Sequence, residues 1–217
     1  MAKTAAKGAA LKLGDGGSPE SFATVAYISQ ISLPLAKPDW IDVTTHDSPS
    51  FYEEIVAGII RTGELAFRGA LAQFATGVTV LTTLGPRGPL GMTVNSFTSV
   101  SLDPPLILWC PAHGSARYRA FAGATHYAVN VLAEDQLDLC LRFARTGEDF
   151  SGLGQERNPE GAPILPGCLA RFDCAATATH DGGDHAILVA RVLRAETREG
   201  QPLLFWDRRY GGFAPGS

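Results

Sequence analysis

The chain has no surplus of positive charge. Its 217 residues hold 18 Lys and Arg against 22 Asp and Glu, a formal net charge of -4. That balance argues against nucleic acid or an anionic membrane as partner. No apolar run approaches the length of a membrane-spanning helix. The N-terminal stretch MAKTAAKGAALKLGDGG has early lysines but no sustained apolar region behind them. This speaks against a secretory signal and for a cytoplasmic protein. Cysteine is scarce: Cys110, Cys140, Cys168 and Cys174, none in a CxxC pair. Free thiols in a reducing compartment are expected, not a disulfide framework or a zinc site. A GxGxxG fingerprint is missing too, which excludes a Rossmann-type nucleotide site. No catalytic triad or pair of carboxylates stands out.

What is present is a β-rich pattern. With 45% hydrophobic residues, the chain can build one medium domain plus an appendage. Phe67, Leu71 and Phe74 recur at helical spacing and predict an amphipathic helix ended by Thr76-Gly77. Residues 78–84 are β-branched and alternating, and predict a strand. Gly85-Pro86-Arg87-Gly88-Pro89 is a turn, and a second strand completes a hairpin. That second strand, GMTVNSFTSVSLDPP, is unusually rich in hydroxyls and stops at the double proline. Leu106–Cys110 is wholly apolar and predicts a short strand buried on both faces. Ser115 is a candidate cap for a short helix through Phe121. A strand over 126–132 and a helix over 134–144 follow, with Leu137, Leu141 and Phe143 on the inner side. Residues 145–167 are a long loop and candidate lid. Strands over 169–179, 185–195 and 203–206 complete the pattern. So many strands with few short helices imply a closed β-barrel.

Thr76, Thr79, Thr82, Thr83, Thr93, Asn95, Ser96, Thr98 and Ser99 gather on the hairpin. An ordinary solvated edge accounts for them; so does a wall of donors facing a flat polar ligand. Ser115 and Arg117 read either as a cap and a solvated cation or as a phosphate site at a helix start. His180-Asp181-Gly182-Gly183-Asp184-His185 reads as a hairpin turn with Gly at positive φ. Its His and Asp residues splay apart on so tight a turn, so no metal is expected. His113 and His126 carry no motif and are read as structural, and Phe143 as core.

The ordered series TGVTVLTT, GMTVNSFTSVSLDPPLILWC, YAVNVLAEDQ, HDGGDHAILVARV and QPLLFWDRRYGG resembles the short-chain flavin reductases. These are split-barrel flavoproteins that serve two-component flavin monooxygenases. The resemblance covers residues 66–213, within a domain expected over 66–217, and implies a mainly β, FMN-binding split barrel with a few short helices. It implies that Thr76, Gly77, Val78, Thr79 and Val80 border the flavin. Met92, Thr93, Val94, Asn95, Ser96, Phe97, Thr98 and Ser99 would form the facing wall. Ser99, Ser115 and Arg117 would lie toward the ribityl or phosphate end. Gly183-Asp184-His185 matches a GDH signature on the nicotinamide side, with His185 as the catalytic candidate. Tyr210 covers a ring face or packs in the core. The implied activity is NAD(P)H:flavin oxidoreduction, hydride passing from nicotinamide C4 to flavin N5. FMN or FAD and NADH or NADPH all suit it, with no metal. Such chemistry rests on positioning, and the cofactor supplies the reactive groups. The implied partners are a second copy, in a homodimer, and a flavin-dependent monooxygenase. A non-reductase flavin binder of the same fold is the alternative, against which the GDH turn argues.

Residues 1–65 have a different character. Trp40-Ile41-Asp42-Val43-Thr44-Thr45-His46-Asp47-Ser48-Pro49, with Tyr52-Glu53-Glu54 and Gly63-Glu64, resembles the opening of phage tail tube proteins. This implies a partial β-rich segment that lacks the rest of its sandwich. It is expected to pack poorly and to form no tube. A phage structural protein is the alternative function this segment alone would suggest.

Overall fold

The computed structural model describes residues 58 and 62–214, all within one unit, Ala57–Ser217. The expectations for residues 1–65 fall almost wholly outside the described residues. Helix α1 covers 62–71, earlier than the periodicity of Phe67, Leu71 and Phe74 suggests. Those three side chains are exposed, so no apolar stripe docks on the barrel among the described residues. Thr76–Gly77 is not the helix stop but a short strand, β1, which pairs with a strand far along the chain. The helix ends in the turn at 72–74, and a local reading cannot see that distant partner.

Strands β2 (Thr79–Gly85), β3 (Gly88–Val94), β4 (Thr98–Leu102) and β5 (Pro105–Trp109) come next. Helix α2 (Tyr118–Ala122) precedes β6 (His126–Val131). A 3-10 turn over Glu134–Gln136 leads into α3 (Leu137–Arg145). The long strands β7 (Ala170–Gly182) and β8 (His185–Thr197) are followed by β9 (Leu204–Trp206) and β10 (Arg209–Gly211). A 7-stranded antiparallel sheet runs β3-β2-β6-β7-β8-β5-β4, and a 3-stranded one runs β1-β9-β10. Two register breaks in the β7–β8 pair bend the ribbon and let the sheet curl.

The barrel is split, not closed as the strand count alone suggests. Its edge strands β3 and β4 are consecutive in sequence yet do not pair. The link Asn95-Ser96-Phe97 limits the span from Val94 to Thr98 to about 14 Å, so the edges meet at one end and part elsewhere. The hydroxyl-rich segment is therefore two edge strands with a break, not one strand. Pro105 opens β5 rather than merely ending its predecessor.

Two apolar clusters hold the fold. Leu81, Met92, Trp109, Phe121, Tyr127 and Leu188 fill the barrel, with Trp109 edge-on to Phe121 at 5.4 Å and to Tyr127 at 5.9 Å. Val78, Val80, Leu132, Leu139, Cys140 and Phe143 pack between α3 and the sheet. The inner face of α3 is thus Leu139, Cys140 and Phe143, while Leu137 and Leu141 are partly exposed. The preceding 3-10 turn shifts the helical phase. On β5, Ile107 and Trp109 are buried but Leu106 and Leu108 only half so, which corrects the two-faced burial. The loop 145–167 is not a free lid. Pro163 O accepts from Thr82 Oγ1 at 2.5 Å, and Asn158 donates to the buried Asp173 at 2.9 Å. A buried carboxylate needs such donors, and that need stitches the loop down. All four cysteines are free, and burial pushes the Cys174 thiol up to about 12 and Cys168 to about 11. Among the described residues no helix is long and apolar enough to cross a membrane, and no side-chain group has the arrangement to hold a metal ion.

Candidate active site

The break between β3 and β4 is a fixed corner. Ser96 Oγ donates to Cys110 O at 3.2 Å and accepts from Cys110 N at 3.0 Å. Phe97 rests on Phe172 with ring centroids 5.5 Å apart. The two residues that follow Asn95 are thereby anchored, while Asn95 itself is exposed and makes no side-chain hydrogen bond among the described residues. Thr98 and Ser99 on β4 are exposed too, along a strand paired on one edge only.

Beside this corner lies a recess of 170 Å³, lined by Val78, Thr93, Val94, Asn95, Ala144, Phe205 and Tyr210. The fold thus gathers five sequence-predicted residues, Val78, Thr93, Val94, Asn95 and Tyr210, from three separate stretches of chain. Thr76 Oγ1, on β1 just before them, is buried without a hydrogen-bond partner. An unpaired buried hydroxyl is costly in a folded protein and points to a missing acceptor or donor. Tyr210 faces Phe205 across the β9–β10 pair, with ring centroids 5.1 Å apart. Burial and the nearby Cys140 thiol push the Tyr210 phenol up to about 12, so it stays protonated at neutral pH. Phe205 and Ala144 were not legible as site residues, because only long-range pairing brings them here.

Other predicted residues are spent elsewhere. Thr79 and Val80 are buried and laddered to both β3 and β6, so their backbone groups face no ligand. Thr79 Oγ1 donates to Val94 O at 3.1 Å, Thr83 Oγ1 to His126 O at 2.9 Å and Thr93 Oγ1 to Cys140 O at 2.7 Å. Much of the hydroxyl content therefore binds the hairpin to its neighbours. Met92 points into the barrel core. Gly77, exposed on β1, directly precedes Val78, which lines the recess.

Ser115 and Arg117 lie at a second place. Helix α2 starts only at Tyr118, with Arg117 in the cap position and no side-chain cap. Ser115 instead accepts from Arg117 N at 3.3 Å, a turn contact. A helix of 5 residues has a weak dipole, so the expected helix-start phosphate site loses its first support. The Arg117 guanidinium donates to Gly91 O at 3.2 Å, Phe143 O at 2.5 Å and Ala144 O at 3.0 Å. These carbonyls hold its fork rigid at the wall of a cavity of 750 Å³. Burial lowers its pKa from the ordinary 12.5, yet guanidinium remains charged.

The third place is the β7–β8 turn. Gly183 has φ +82, as the hairpin reading requires. His185 Nδ1 lies 2.7 Å from Asp184 Oδ1, and this partner holds the Asp184 carboxyl below its usual range. His185 is half-exposed, pairs with Ala112, and its neighbour Ala186 donates to Pro111 O at 3.0 Å. The segment 111–117 is thereby fastened to the turn at one end and reaches Arg117 at the other. His113, set aside on sequence, donates its amide to Asp184 O at 3.0 Å and lies 3.7 Å from Asp181. His126 lends its carbonyl to Thr83 and stays structural.

Comparison with known proteins agrees with this architecture. Residues 71–214 match the family model described as flavin reductase like domain. The chain is 56% identical over 149 residues to the FMN reductase (NADH) SmoA of Agrobacterium fabrum, covering 69% of this chain and 86% of that one. It is 44% identical over 151 residues to the reductase subunit HsaB of a flavin-dependent monooxygenase from Rhodococcus jostii, covering 69% and 77%. Among solved structures, the NADH:FAD oxidoreductase of Streptomyces globisporus C-1027 in complex with NAD and FAD fragments matches with TM-score 0.66 at 36% identity, covering 70% and 93%. Split barrel, ordered motifs and matched residues converge: the chain belongs to the flavin reductase-like family.

Proposed function

We propose that this chain is an NAD(P)H-dependent flavin reductase that feeds reduced flavin to a partner flavin-dependent monooxygenase. When bound, the flavin accepts hydride at N5 from nicotinamide C4. The protein's part is to hold, orient and shield the two rings. FMN or FAD serves as the flavin, and NADH or NADPH as the donor. The names of the FMN reductase (NADH), the monooxygenase reductase subunit and the NADH:FAD oxidoreductase support this range.

The observation that carries the reading is the recess where Val78, Thr93, Val94, Asn95 and Tyr210 converge. Its residues fit a flat ligand with a polar edge. Asn95 offers a free amide donor and acceptor, and the open β4 edge adds backbone groups. Phe205 and Tyr210 supply aromatic surface for a ring face. Ser115 and the fixed fork of Arg117 suit the phosphate end. Gly183 and Asp184 shape the turn that presents His185 toward the nicotinamide. The Asp184 contact orients the His185 ring.

A recess of 170 Å³ is smaller than the roughly 300–1,000 Å³ of ordinary ligand pockets. One protomer therefore offers part of a site. Beside it, β4 has an unpaired edge, and Leu102 is 94% exposed and Val100 49%. A second copy covering this strand completes the wall and removes the edge. This supports the homodimer.

The test is direct. The purified chain is mixed with NADH or NADPH and with FMN or FAD, and nicotinamide absorbance is followed. At least one pair is expected to turn over, with no oxidation when flavin is omitted. Absence of oxidation with every pair overturns the reading.

A further inference from the structure

Helix α3 backs the recess at Asn95. Ala144 lines it, and Cys140 sits one turn earlier on the same face of the helix. Cys140 is fully buried, in the apolar cluster with Val78, Leu132 and Phe143, and is not itself part of the lining. From behind, it reaches two walls of the recess. Its carbonyl accepts from Thr93 Oγ1 at 2.7 Å, which ties down the β3 wall. Its thiol faces the hydroxyl of Tyr210 on the β10 wall.

Tyr210 has little else to fix its direction. Strand β10 has 3 residues, all exposed, and pairs with β9 alone. The ring meets Phe205 at a centroid distance of 5.1 Å and a tilt of 51°. Aromatic contacts of this kind tolerate a range of angles. A contact at the far tip of the ring is stricter, because it stops the side chain from swinging about its first bond. A phenol can donate to a thiol sulfur, and the surrounding cluster is otherwise apolar. We propose that Cys140 positions Tyr210: the buried thiol holds the phenol tip, so that the ring stands at a set angle against flavin in the recess. The inference rests on the flavin reductase reading, which makes the recess a flavin site. Cys140 acts through Tyr210 and touches no ligand.

The test compares Cys140→Ala with Cys140→Ser in the full chain. The two replacements are nearly equal in volume, and only serine can accept from the phenol. Simple core filling ranks alanine at or above serine, because a buried hydroxyl is costly. Positioning ranks serine above alanine. Without flavin, NMR relaxation of isotope-labelled tyrosine rings reads the contact, the Tyr210 signal being identified by its loss in Tyr210→Phe. The ring is expected to stay rigid in the parent and in Cys140→Ser, and to become mobile in Cys140→Ala. With FMN, fluorescence titration is expected to show about fivefold weaker binding for Cys140→Ala, the scale of one neutral hydrogen bond, and near-parent binding for Cys140→Ser. Tyr210→Phe, alone or combined with Cys140→Ala, is expected to give that same loss and not the sum. Binding by Cys140→Ala as tight as by Cys140→Ser, or additive losses, overturns the inference. Should neither Cys140 variant fold by circular dichroism, Tyr210→Phe decides: a loss of about fivefold sustains the inference and unchanged affinity overturns it. If the parent binds no FMN and oxidises no NAD(P)H, the reductase reading falls, while ring relaxation still decides whether Cys140 holds Tyr210. If oxidation is normal and both Cys140 variants match the parent, the reading stands and the positioning role falls.

Discussion

At the residue scale, free side chains matter more than polar ones. Thr79, Thr83 and Thr93 give their hydroxyls to carbonyls, whereas the Thr76 hydroxyl and the Asn95 amide have no side-chain hydrogen bond among the described residues. Asn95→Ala is therefore expected to weaken flavin binding about tenfold, the scale of one or two lost hydrogen bonds. Fluorescence titration with FMN and FAD measures it. His185→Ala is expected to lower kcat/KM for NAD(P)H by about ten- to a hundredfold while moving flavin affinity less. The reverse pattern in steady-state and binding data rejects its role. Gly91 answers to packing instead. A Cβ there would collide with the Phe143 ring, so Gly91→Ala should cost roughly 1–3 kcal/mol in chemical denaturation. The thiols give a pH prediction. Cys174 is raised from 9.0 to about 12, so the folded state holds its proton longer than the unfolded one. Its contribution is full below the unfolded pKa of about 9 and declines as pH rises toward 12. Denaturation midpoints measured upward from neutral pH should fall across that window.

At the scale of elements, the β2–β3 hairpin and strands β6, β7 and β8 were legible because β-branched runs and turn residues are local signals. The hairpin turn at Gly183 was legible for the same reason, since only a positive φ closes it. Strand β1 was not: Thr76 pairs with Phe205, a partner that no short window of sequence contains. Strand β10 was missed for a local reason, a tight hairpin turn in which Asp207 and Arg208, neither of them Gly, both take positive φ. The stripe on α3 was misread by one phase because the 3-10 turn Glu134–Gln136 advances the helix differently. Half of the recess was visible, since Val78, Thr93, Val94 and Asn95 flank one hairpin. Its opposite side depends on the small sheet, where the family resemblance pointed to Tyr210 but not to Phe205. The loop 145–167 shows how a buried charge can override loop composition. Asn158 bonds both Asp173 and Ala162 N, at 2.9 and 2.8 Å. Asn158→Ala should cost roughly 1–3 kcal/mol and open the loop to limited proteolysis. Unchanged cleavage would mean that the anchoring lies elsewhere.

At the scale of the whole molecule, an open edge lies beside a small recess, which is what the proposed pairing of two copies would cover. The edge of β4 exposes apolar side chains that a monomer leaves in water. Leu102→Asp should shift the chain toward monomer in analytical ultracentrifugation and weaken flavin binding along with it. A chain beginning at Ala57 should retain reductase activity, since the family match begins at residue 71. The central claim is hydride transfer from a nicotinamide to a flavin held at the β3–β4 corner. Its most direct measurement is anaerobic rapid mixing of the flavin-loaded protein with NADH, repeated with deuterium on nicotinamide C4. Oxidised-flavin absorbance should disappear in step with the nicotinamide signal, and more slowly with deuterium. Nicotinamide oxidation without flavin reduction, or bound flavin that stays oxidised, would contradict the account.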